Sequence, residues 1–287
     1  MTAARQAVAA ITGAGAGFGA AIADQCRSRG YAVAALDIDA AAAERTAATL
    51  RAAGGTAIAR KVDVSDRVEL AGAAEAVRSE LGRCDLLFAN VGVQQIAPLE
   101  RFSEQDWQWM LSVNVLGVVH SVMAFLPLLR ETRGDRHVVL TSSNSVLAPS
   151  PRIGPYIMSK AAVTAFGEVL AAELEGEGIG VTIVFPAGMI TSQLQNSRAA
   201  RPPGTGVWEL REEDMKVVSV HSAPTPQDVA TPAAAAAGLL EQVLAGRRYV
   251  VTHGSSRSRF EARVAALLEA HDRMERARAA DPRKGAT

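Results

Sequence analysis

Residues 7–26, "AVAAITGAGAGFGAAIADQC", contain the glycine cluster that decides the fold. The apolar beginning of this stretch predicts a strand and its end predicts a helix, with Gly13, Gly15, Gly17 and Gly19 between them. Glycines at such a junction let the backbone turn tightly and approach a pyrophosphate, which the free N–H groups at the helix start attract. Taken alone, the cluster fits either a phosphate-binding loop or a turn in an alanine-rich chain.

The composition is that of an ordinary globular protein. The chain has 287 residues, of which 48% are hydrophobic and 21% charged, so it is long enough for one large domain or two small ones. Its 30 Lys and Arg residues balance 30 Asp and Glu residues. This balance excludes a general attraction to nucleic acid or to an anionic membrane surface.

The cysteines and the start of the chain bear on the compartment. Cys26 and Cys84 have no metal-type spacing, and two lone thiols are typical of a reducing compartment. No segment approaches the roughly 20 apolar residues that a membrane-spanning helix needs. The first residues continue directly into the glycine cluster without a cleavage site. We therefore expect a cytoplasmic protein with no membrane or nucleic-acid partner.

Short apolar segments alternate with longer amphipathic segments along most of the chain. The apolar segments are rich in Val, Ile and Leu without polar alternation, which predicts strands buried on both faces. Strands that alternate with helices form right-handed βαβ units in a parallel sheet. We therefore predict one α/β domain of the Rossmann type, with a doubly wound parallel sheet of seven strands flanked by helices. The predicted strands are 7–12, 32–37, 57–63, 85–90, 137–142, 181–186 and 248–253, and helices are predicted at 18–29, 41–53, 66–81, 104–130 and 156–176.

Two segments fall outside this alternation. Residues 189–226 form a long insertion within the predicted dinucleotide-binding and catalytic domain, 1–253, where a lid or binding loop is typical. Residues 255–280 predict a basic amphipathic helix within a C-terminal extension, 254–287. We expect this helix to pack against its own domain or against a sister subunit, and an active-site lid is the alternative. Its helically spaced residues are Phe260, Val264, Leu267, Leu268, His271 and Met274.

Asp37 ends the second predicted strand, about 20 residues beyond the glycine cluster. A carboxylate at this place accepts hydrogen bonds from an adenosine ribose and repels the additional phosphate of NADP. Ala16 and Ile38 supply no positive charge that would offset the repulsion. The position predicts NAD as the cofactor, and a helix N-cap or turn role for Asp37 is the alternative.

Further motifs follow in a fixed order. The opening loop has the pattern TGxxxGxG, Ser143 precedes Tyr156 by thirteen residues, and Tyr156 and Lys160 form a Tyr-xxx-Lys motif. Together these motifs resemble the short-chain dehydrogenase/reductase family over roughly residues 5–253. Two turns depart from the usual family pattern. Relatives more often have NNAG where this chain has "ANVG" over 89–92, and PGxxxT where it has "PAGMIT" over 186–191.

The resemblance implies a complete set of site residues. The catalytic residues implied are Asn114, Ser143, Tyr156 and Lys160. The cofactor-binding residues implied include the glycine loop and Asp37 and are Gly13, Gly15, Ala16, Gly17, Phe18, Gly19, Asp37, Ile38, Asp63, Val64, Asn90, Val91, Gly92, Tyr156, Lys160, Pro186, Gly188, Met189 and Thr191. No residue is assigned to a metal.

The chemistry of alcohol oxidation explains the residue types. A proton must leave the alcohol oxygen while a hydride leaves carbon for nicotinamide, and the protein manages the proton. A free tyrosine has a pKa of about 10, which is too high for a base near neutral pH. Lys160 lies one helical turn beyond Tyr156, and its charge should lower that pKa and hold the nicotinamide ribose. Ser143 would hydrogen-bond the substrate oxygen, and the resemblance implies that Asn114 supports a water that links Lys160 to solvent.

We expect the substrate to enter over the carboxyl ends of the strands. The candidate lining residues are mostly apolar and favour a hydrophobic or aromatic secondary alcohol: Val93, Gln94, Ser143, Leu147, Met189, Leu194 and Trp208. The run "NSRAARP" at 196–202 and the C-terminal helix look similar to relatives that oxidise bulky aryl or lignin-derived alcohols. Steroids, terpene alcohols and cyclic diols remain open.

Other functions receive less support. An NADP-dependent carbonyl reductase and a non-catalytic NAD-binding sensor or scaffold are the alternatives. Isomerising or dehydrating relatives usually carry TGxxGxxG, and hydrolases on α/β scaffolds carry G-x-S-x-G; neither pattern occurs. The histidines at 120, 137, 221, 253 and 271 have no metal-type spacing. The resemblance also implies a homodimer or homotetramer that pairs through the helices of Asn114 and Tyr156 and the last strand.

Overall fold

Seven parallel strands form the central sheet of the structure, a computed structural model that describes residues 6–205 and 209–280. The strands in chain order, including two that lie outside this sheet, are β1 (Val8–Thr12), β2 (Ala32–Asp37), β3 (Ala57–Lys61), β4 (Leu86–Ala89), β5 (Arg136–Thr141), β6 (Ile179–Phe185), β7 (Gly188–Met189), β8 (Val229–Ala230) and β9 (Tyr249–Val251). The sheet has the order β3-β2-β1-β4-β5-β6-β9, and β7 pairs with β8 separately. This order confirms the predicted doubly wound Rossmann-type fold.

The strands are buried because helices cover both faces of the sheet. All five residues of β1 are buried, which agrees with its lack of polar alternation. Alternate β1 residues enter different cores: Val8 and Ala10 join one hydrophobic cluster, and Ala9 and Ile11 join the other. Strand β1 therefore contributes to two separate cores, one on each face of the sheet.

The described residues form twelve α-helices, of which seven cover the two cores. They are α1 (Gly17–Ser28), α2 (Ala40–Ala52), α3 (Arg67–Leu81), α4 (Glu104–Leu111), α5 (Gly117–Glu131), α6 (Asn144–Leu147), α7 (Gly154–Glu173), α8 (Gln193–Ala199), α9 (Glu212–Ser222), α10 (Pro232–Ala236), α11 (Leu239–Leu244) and α12 (Arg257–Ala279). Helices α3, α5 and α7 cover one face, and α1, α2, α10 and α11 cover the other.

The predicted helix over 104–130 is interrupted at the centre. Ser112–Leu116 forms a wider π-type turn between α4 and α5, a local feature that often marks functional sites. The whole stretch Glu104–Glu131 is long and apolar enough to cross a membrane by length and composition. This corrects the expectation that no segment approaches that length. Its side chains Val122, Phe125 and Leu129 are buried in the core, which accounts for the apolar composition.

The C-terminal helix does not pack as expected. None of the residues of α12 is buried, and Leu267 and Leu268 are 57% and 59% exposed. Packing against its own domain is therefore wrong for most of the helix, and packing against a sister subunit stays a prediction. Only its start is anchored: the Ser256 hydroxyl donates to Asn144 Oδ1 at 2.5 Å, and Arg263 donates to the main-chain carbonyl of Val146.

Candidate active site

A cavity of about 470 Å³ opens at the carboxyl edge of the sheet. This is the edge at which ligands bind in open parallel sheets. The chain leaves β1, β2, β4, β5 and β6 there, and each exit contributes to the wall. The sequence-predicted residues that line the cavity are Gly13, Ala16, Gly17, Phe18, Gly19, Asp37, Ile38, Asn90, Val91, Gly92, Val93, Gln94, Ser143, Tyr156, Lys160, Pro186, Gly188, Met189, Thr191 and Leu194.

Close backbone contact explains the glycines of the opening loop. A Cβ on Gly19 would lie 2.1 Å from the carbonyl oxygen of Gly13, so no other residue fits without a backbone shift. Gly13 and Gly17 have φ values of 65° and 56°, a conformation that favours glycine. Ala16 provides no side-chain cap for α1, so the first amide groups of the helix are available to a ligand.

Asp37 is held at the cavity by backbone amides. Its Oδ2 accepts a hydrogen bond of 2.8 Å from the Gly15 N–H, and its Oδ1 accepts one of 3.0 Å from Asp39. A Cβ on Gly15 would lie 2.8 Å from Asp37 Oδ2, so Gly15 acts on Asp37 rather than lining the cavity. Asp39 caps α2 through the amide of Ala42. The N-cap part of the alternative role for Asp37 is therefore wrong, whereas the contact with the Asp39 amide two residues later is the turn role that the alternative also named.

Asn90 joins the ends of three neighbouring strands. Its Oδ1 accepts a hydrogen bond of 3.0 Å from the Thr141 hydroxyl, and its main-chain N–H donates to Thr12 Oγ1 at 3.1 Å. These contacts connect β4 with β5 and β1 directly beneath the cavity. The turn from Asn90 to Gly92 is thereby fixed next to Lys160, whose Nζ would lie 3.0 Å from a Cβ on Gly92.

Lys160 is a buried cation that points at main-chain carbonyls. Its Nζ donates to the carbonyl oxygens of Thr141 at 2.8 Å and Val91 at 3.3 Å. Burial, which disfavours the charged form, lowers the pKa of Lys160 to about 8. The Nζ lies 6.0 Å from the centroid of the Tyr156 ring. The helical spacing thus places the ammonium and the phenol side by side.

Tyr156 lies beside Ser143 in the same cavity. Burial raises the pKa of the Tyr156 phenol, while hydrogen bonds with Ser143 and Gln193 lower it by less. This direction is opposite to the expected lowering by Lys160. Ser143 Oγ also shares a hydrogen bond of 2.9 Å with Ser145 Oγ. The phenol and the Ser143 hydroxyl can therefore converge on one oxygen atom of a ligand.

Asn114 does not line the cavity but binds the main chain of Val93, which does. It lies in the π-type turn and is fully buried. Its Oδ1 accepts a hydrogen bond of 2.7 Å from the Val93 N–H, and its Nδ2 donates to Val93 O at 2.9 Å and to Ser159 Oγ at 3.0 Å. Because these contacts occupy the side-chain amide, it fixes the main chain at Val93 instead of facing the cavity.

Among the residues that the structure describes, three further predicted residues do not contribute to the cavity wall. Asp63 accepts hydrogen bonds from the amide and hydroxyl of Ser65, and Val64 is buried in the core against α5. Leu147 lies at the end of α6, outside the residues that line the cavity. Trp208 lies outside the described residues.

The structure adds lining residues that sequence reasoning missed. Gln193 comes two positions after Thr191 and contacts Tyr156. Helix α9 contributes Met215, Val218, Ser219 and Ser222. Their spacing of three, one and three residues is a helical face, which is a signal that the sequence of the insertion contained. Arg259, from the first turn of α12, also lines the cavity, and only the folded chain brings it there.

Comparison with known proteins agrees with this geometry. The chain matches the short chain dehydrogenase family over residues 7–202, more than half of its length. The protein belongs to the short-chain dehydrogenase/reductase family. It is therefore an oxidoreductase of that family.

Individual relatives cover most of this short-chain dehydrogenase. A D-threitol dehydrogenase from Mycolicibacterium smegmatis is 36% identical over 64% of this chain and 70% of its own. A C alpha-dehydrogenase from Sphingobium is 29% identical over 93% of this chain and 87% of its own. A crystal structure of a Burkholderia phymatum short-chain dehydrogenase/reductase in complex with NAD is 30% identical, with a TM-score of 0.83, and covers 93% of this chain and 96% of its own.

Proposed function

We propose that this short-chain dehydrogenase uses NAD(H) to interconvert a secondary alcohol and a ketone by hydride transfer. The observation that carries the proposal is one cavity whose wall contains Ser143, Tyr156 and Lys160 together with the glycine loop. A hydroxyl donor, a phenol and a buried ammonium beside a dinucleotide cradle match the proton management that such a reaction requires.

The residues present fit a nicotinamide dinucleotide. The close approach of Gly19 to Gly13 and the uncapped start of α1 suit a pyrophosphate. The Asp37 carboxylate, held in place by the amides of Gly15 and Asp39, suits an unphosphorylated adenosine ribose and disfavours the 2′-phosphate of NADP. When bound, the nicotinamide supplies the hydride acceptor or donor. The NAD complex of the Burkholderia phymatum relative supports this choice of cofactor.

Tyr156 is assigned as the acid and base at the reacting oxygen. Burial keeps the phenol protonated, so in the ketone direction it is ready to donate its proton. In the alcohol direction, positive charge beside the ring must favour the phenolate, and Lys160 Nζ at 6.0 Å from the ring centroid contributes that charge. Ser143 donates a hydrogen bond to the same oxygen and stabilises the negative charge that develops on it.

Lys160 and Asn114 are assigned to the support of this pair. The Lys160 ammonium is oriented by two carbonyl acceptors and is placed to hold the nicotinamide ribose. Asn114 fixes Val93 and the turn that precedes it. The predicted water that links Lys160 to solvent would have to bind a main-chain atom at Asn114, because the protein already occupies the amide.

The substrate part of the cavity favours an apolar molecule. Its apolar side chains come from several elements and include Val93, Ile96, Ile153, Met189, Leu194, Met215 and Val218. A hydrophobic or aromatic alcohol would bury its surface against them. The similarity to a D-threitol dehydrogenase keeps a polyol as the alternative.

A homodimer or homotetramer is part of the proposal. The helices that carry the site leave large apolar side chains exposed: Met123 on α5 is 48% exposed, and Met158 and Val169 on α7 are 44% and 57% exposed. Exposed apolar side chains on these two helices support the prediction that subunits pair through them. Light scattering that gives the mass of one chain would contradict the assembly. The two buried free thiols, Cys26 and Cys84, fit the cytoplasmic localisation that we propose.

The proposed reaction is tested by measuring the increase in absorbance of the reduced nicotinamide. The purified protein would be mixed with NAD or NADP and a panel of aryl, alicyclic, steroid and polyol secondary alcohols. We expect reduction of NAD with an aryl or other hydrophobic alcohol. Faster reduction of NADP would support the carbonyl reductase alternative and contradict the role of Asp37. NADH binding without turnover on any member of the panel would support the sensor alternative.

A further inference from the structure

We propose that the natural substrate carries an anionic group, a carboxylate, which Arg259 binds at the end of the cavity formed by α9 and α12. This inference rests on the proposed function, since it names the class of alcohol or ketone that the same cavity accepts. It also gives a role to the first turn of the C-terminal extension.

Arg259 is the charged lining residue that the proposed chemistry leaves unassigned. Among the described residues that line the cavity, the charged ones are Asp37, Lys160 and Arg259. Asp37 accepts hydrogen bonds from two amides at the cofactor end, and Lys160 donates to two carbonyl groups beneath the phenol. A cation in the remaining, mostly apolar wall favours a negative charge on the ligand.

The guanidinium of Arg259 is oriented but not neutralised. Its Nη1 donates to the main-chain carbonyl of His221, which fixes the side chain against the end of α9. Within residues 6–205 and 209–280, no carboxylate forms an ion pair with it. Two other arginines of α12 are paired on the helix surface: Arg257 with Glu261 at 2.7 Å and Arg273 with Glu269 at 2.6 Å. Arg259 thus keeps N–H donors for a bidentate contact with a carboxylate.

A second observation points to a ligand at the same place. The Ser222 hydroxyl is shielded from solvent and has no hydrogen-bond partner among the described residues. Ser222 lines the cavity together with Ser219, one helical turn earlier on α9. A buried hydroxyl without a partner costs free energy. Rotation of the Ser222 side chain about χ1 would turn this hydroxyl into the cavity, where a carboxylate bound to Arg259 would offer it an acceptor.

The start of α12 is held firmly enough to form a binding wall. The Ser255 amide donates to Asp228 Oδ1 at 2.5 Å, and the Ser255 hydroxyl donates to Asp228 Oδ2 at 2.9 Å. The Ser256 hydroxyl donates to Asn144 Oδ1, in the residue directly after Ser143. The chain is thus anchored three residues before Arg259 to the residue that follows Ser143.

The cavity wall between Tyr156 and Arg259 indicates the character of the middle part of the substrate. Leu194, Met215 and Val218 line the cavity together with the serines of α9, so this part of the wall offers apolar surface beside a few hydroxyl groups. The ligand that fits both features is amphiphilic: a carbinol or ketone carbon at Tyr156, an apolar or aromatic body, and a carboxylate at Arg259.

The experiment compares matched acids and amides. The probes are (4-acetylphenyl)alkanoates of increasing chain length and their primary amides, which have nearly the same size and no charge. Calorimetry measures the Kd of each probe for the full chain in the presence of NAD, which cannot reduce a ketone, and absorbance measures turnover of the probe in a separate assay with NADH. The test variant is Arg259→Gln. The matched control is Arg257→Gln, which removes a surface arginine of the same helix turn.

We expect at least one acid to bind about tenfold more tightly than its amide. Arg259→Gln should abolish that preference, and Arg257→Gln should retain it. Equal binding of acid and amide, no measurable binding of either, or a preference that survives Arg259→Gln would overturn the proposal. Because binding and turnover are measured separately, an acid that binds through Arg259 but is not reduced would count against the proposed reaction and for the carboxylate site.

Discussion

Replacing Gly19 with alanine tests whether the opening loop is built as a tight cradle. The new Cβ would lie 2.1 Å from the Gly13 oxygen and 2.8 Å from Asn90 Nδ2. Since carbon and oxygen atoms pack at about 3.5 Å, the loop must move by more than about 1 Å. Such overpacking costs about 1–3 kcal/mol, and the gain from alanine in a helix returns about 0.5–1 kcal/mol. We expect a net loss of up to about 2.5 kcal/mol in the free energy of unfolding.

The same shift displaces the backbone that would contact the pyrophosphate, so the Kd for NADH should rise by about tenfold or more. Urea denaturation and calorimetry measure the two effects. Gly72→Ala is the matched control, because a Cβ there meets nothing within 4 Å in the middle of α3. It should stabilise the protein by about 0.5–1 kcal/mol and leave NADH binding unchanged. A Gly19→Ala variant with native stability and native affinity would refute the reasoning.

Three further predictions follow from the geometry. Asp37→Ser removes the carboxylate from the cofactor end, so the ratio of kcat/KM for NADP over NAD should rise about tenfold, and an unchanged ratio would contradict the role of Asp37. The pKa of Lys160 is about 8 in the folded protein and about 10.4 when unfolded; at this group the unfolded state therefore binds more protons between these values, and the Lys160 contribution to folding stability should rise with pH there by up to about 1.4 kcal/mol per unit. Burial raises the pKa of the Cys26 and Cys84 thiols, which lowers the stability of any variant over the same range, so the measured quantity is the difference between native protein and Lys160→Met in urea denaturation from pH 7 to pH 10. This difference should grow in favour of the native protein as the pH rises, whereas parallel curves would refute it. Arg201→Met breaks the buried ion pair with Asp106, which ties the 189–226 insertion to α4. The free energy of unfolding, measured by thermal or urea denaturation, should fall by about 3–5 kcal/mol. A fall of less than about 1 kcal/mol, which is the value of a surface pair, would show that the pair is not buried in solution.

Local patterns were sufficient for the fold and for the reacting end of the cavity. The strand and helix periods, the glycine loop and the Tyr-xxx-Lys spacing are all short-range, and the carboxyl edge of a parallel sheet gathers residues that follow different strands. For this reason the sequence alone predicts one site that contains Gly13, Asp37, Asn90, Ser143 and Tyr156.

The rest of the wall depends on how distant segments fold back. Arg259 reaches the cavity only because Ser255 and Ser256 bind Asp228 and Asn144, a contact between segments that are far apart in sequence. The π-type turn that points Asn114 inward has no clear propensity signal. The exposed face of α12 could not be predicted because helical spacing of apolar residues does not say what covers them.

The central claim is that Tyr156 exchanges the proton at the reacting oxygen, and a single substitution tests it. Tyr156→Phe keeps the ring and removes the hydroxyl, while Tyr249→Phe makes the same change at a half-exposed tyrosine whose hydroxyl donates to Glu168. The measurement is the rate of NADH formation with the best alcohol of the panel, together with the Kd for NADH. We predict that Tyr156→Phe lowers kcat by about 10²–10⁴-fold with NADH binding retained, and that Tyr249→Phe is unaffected. Near-native turnover by Tyr156→Phe would contradict the mechanism.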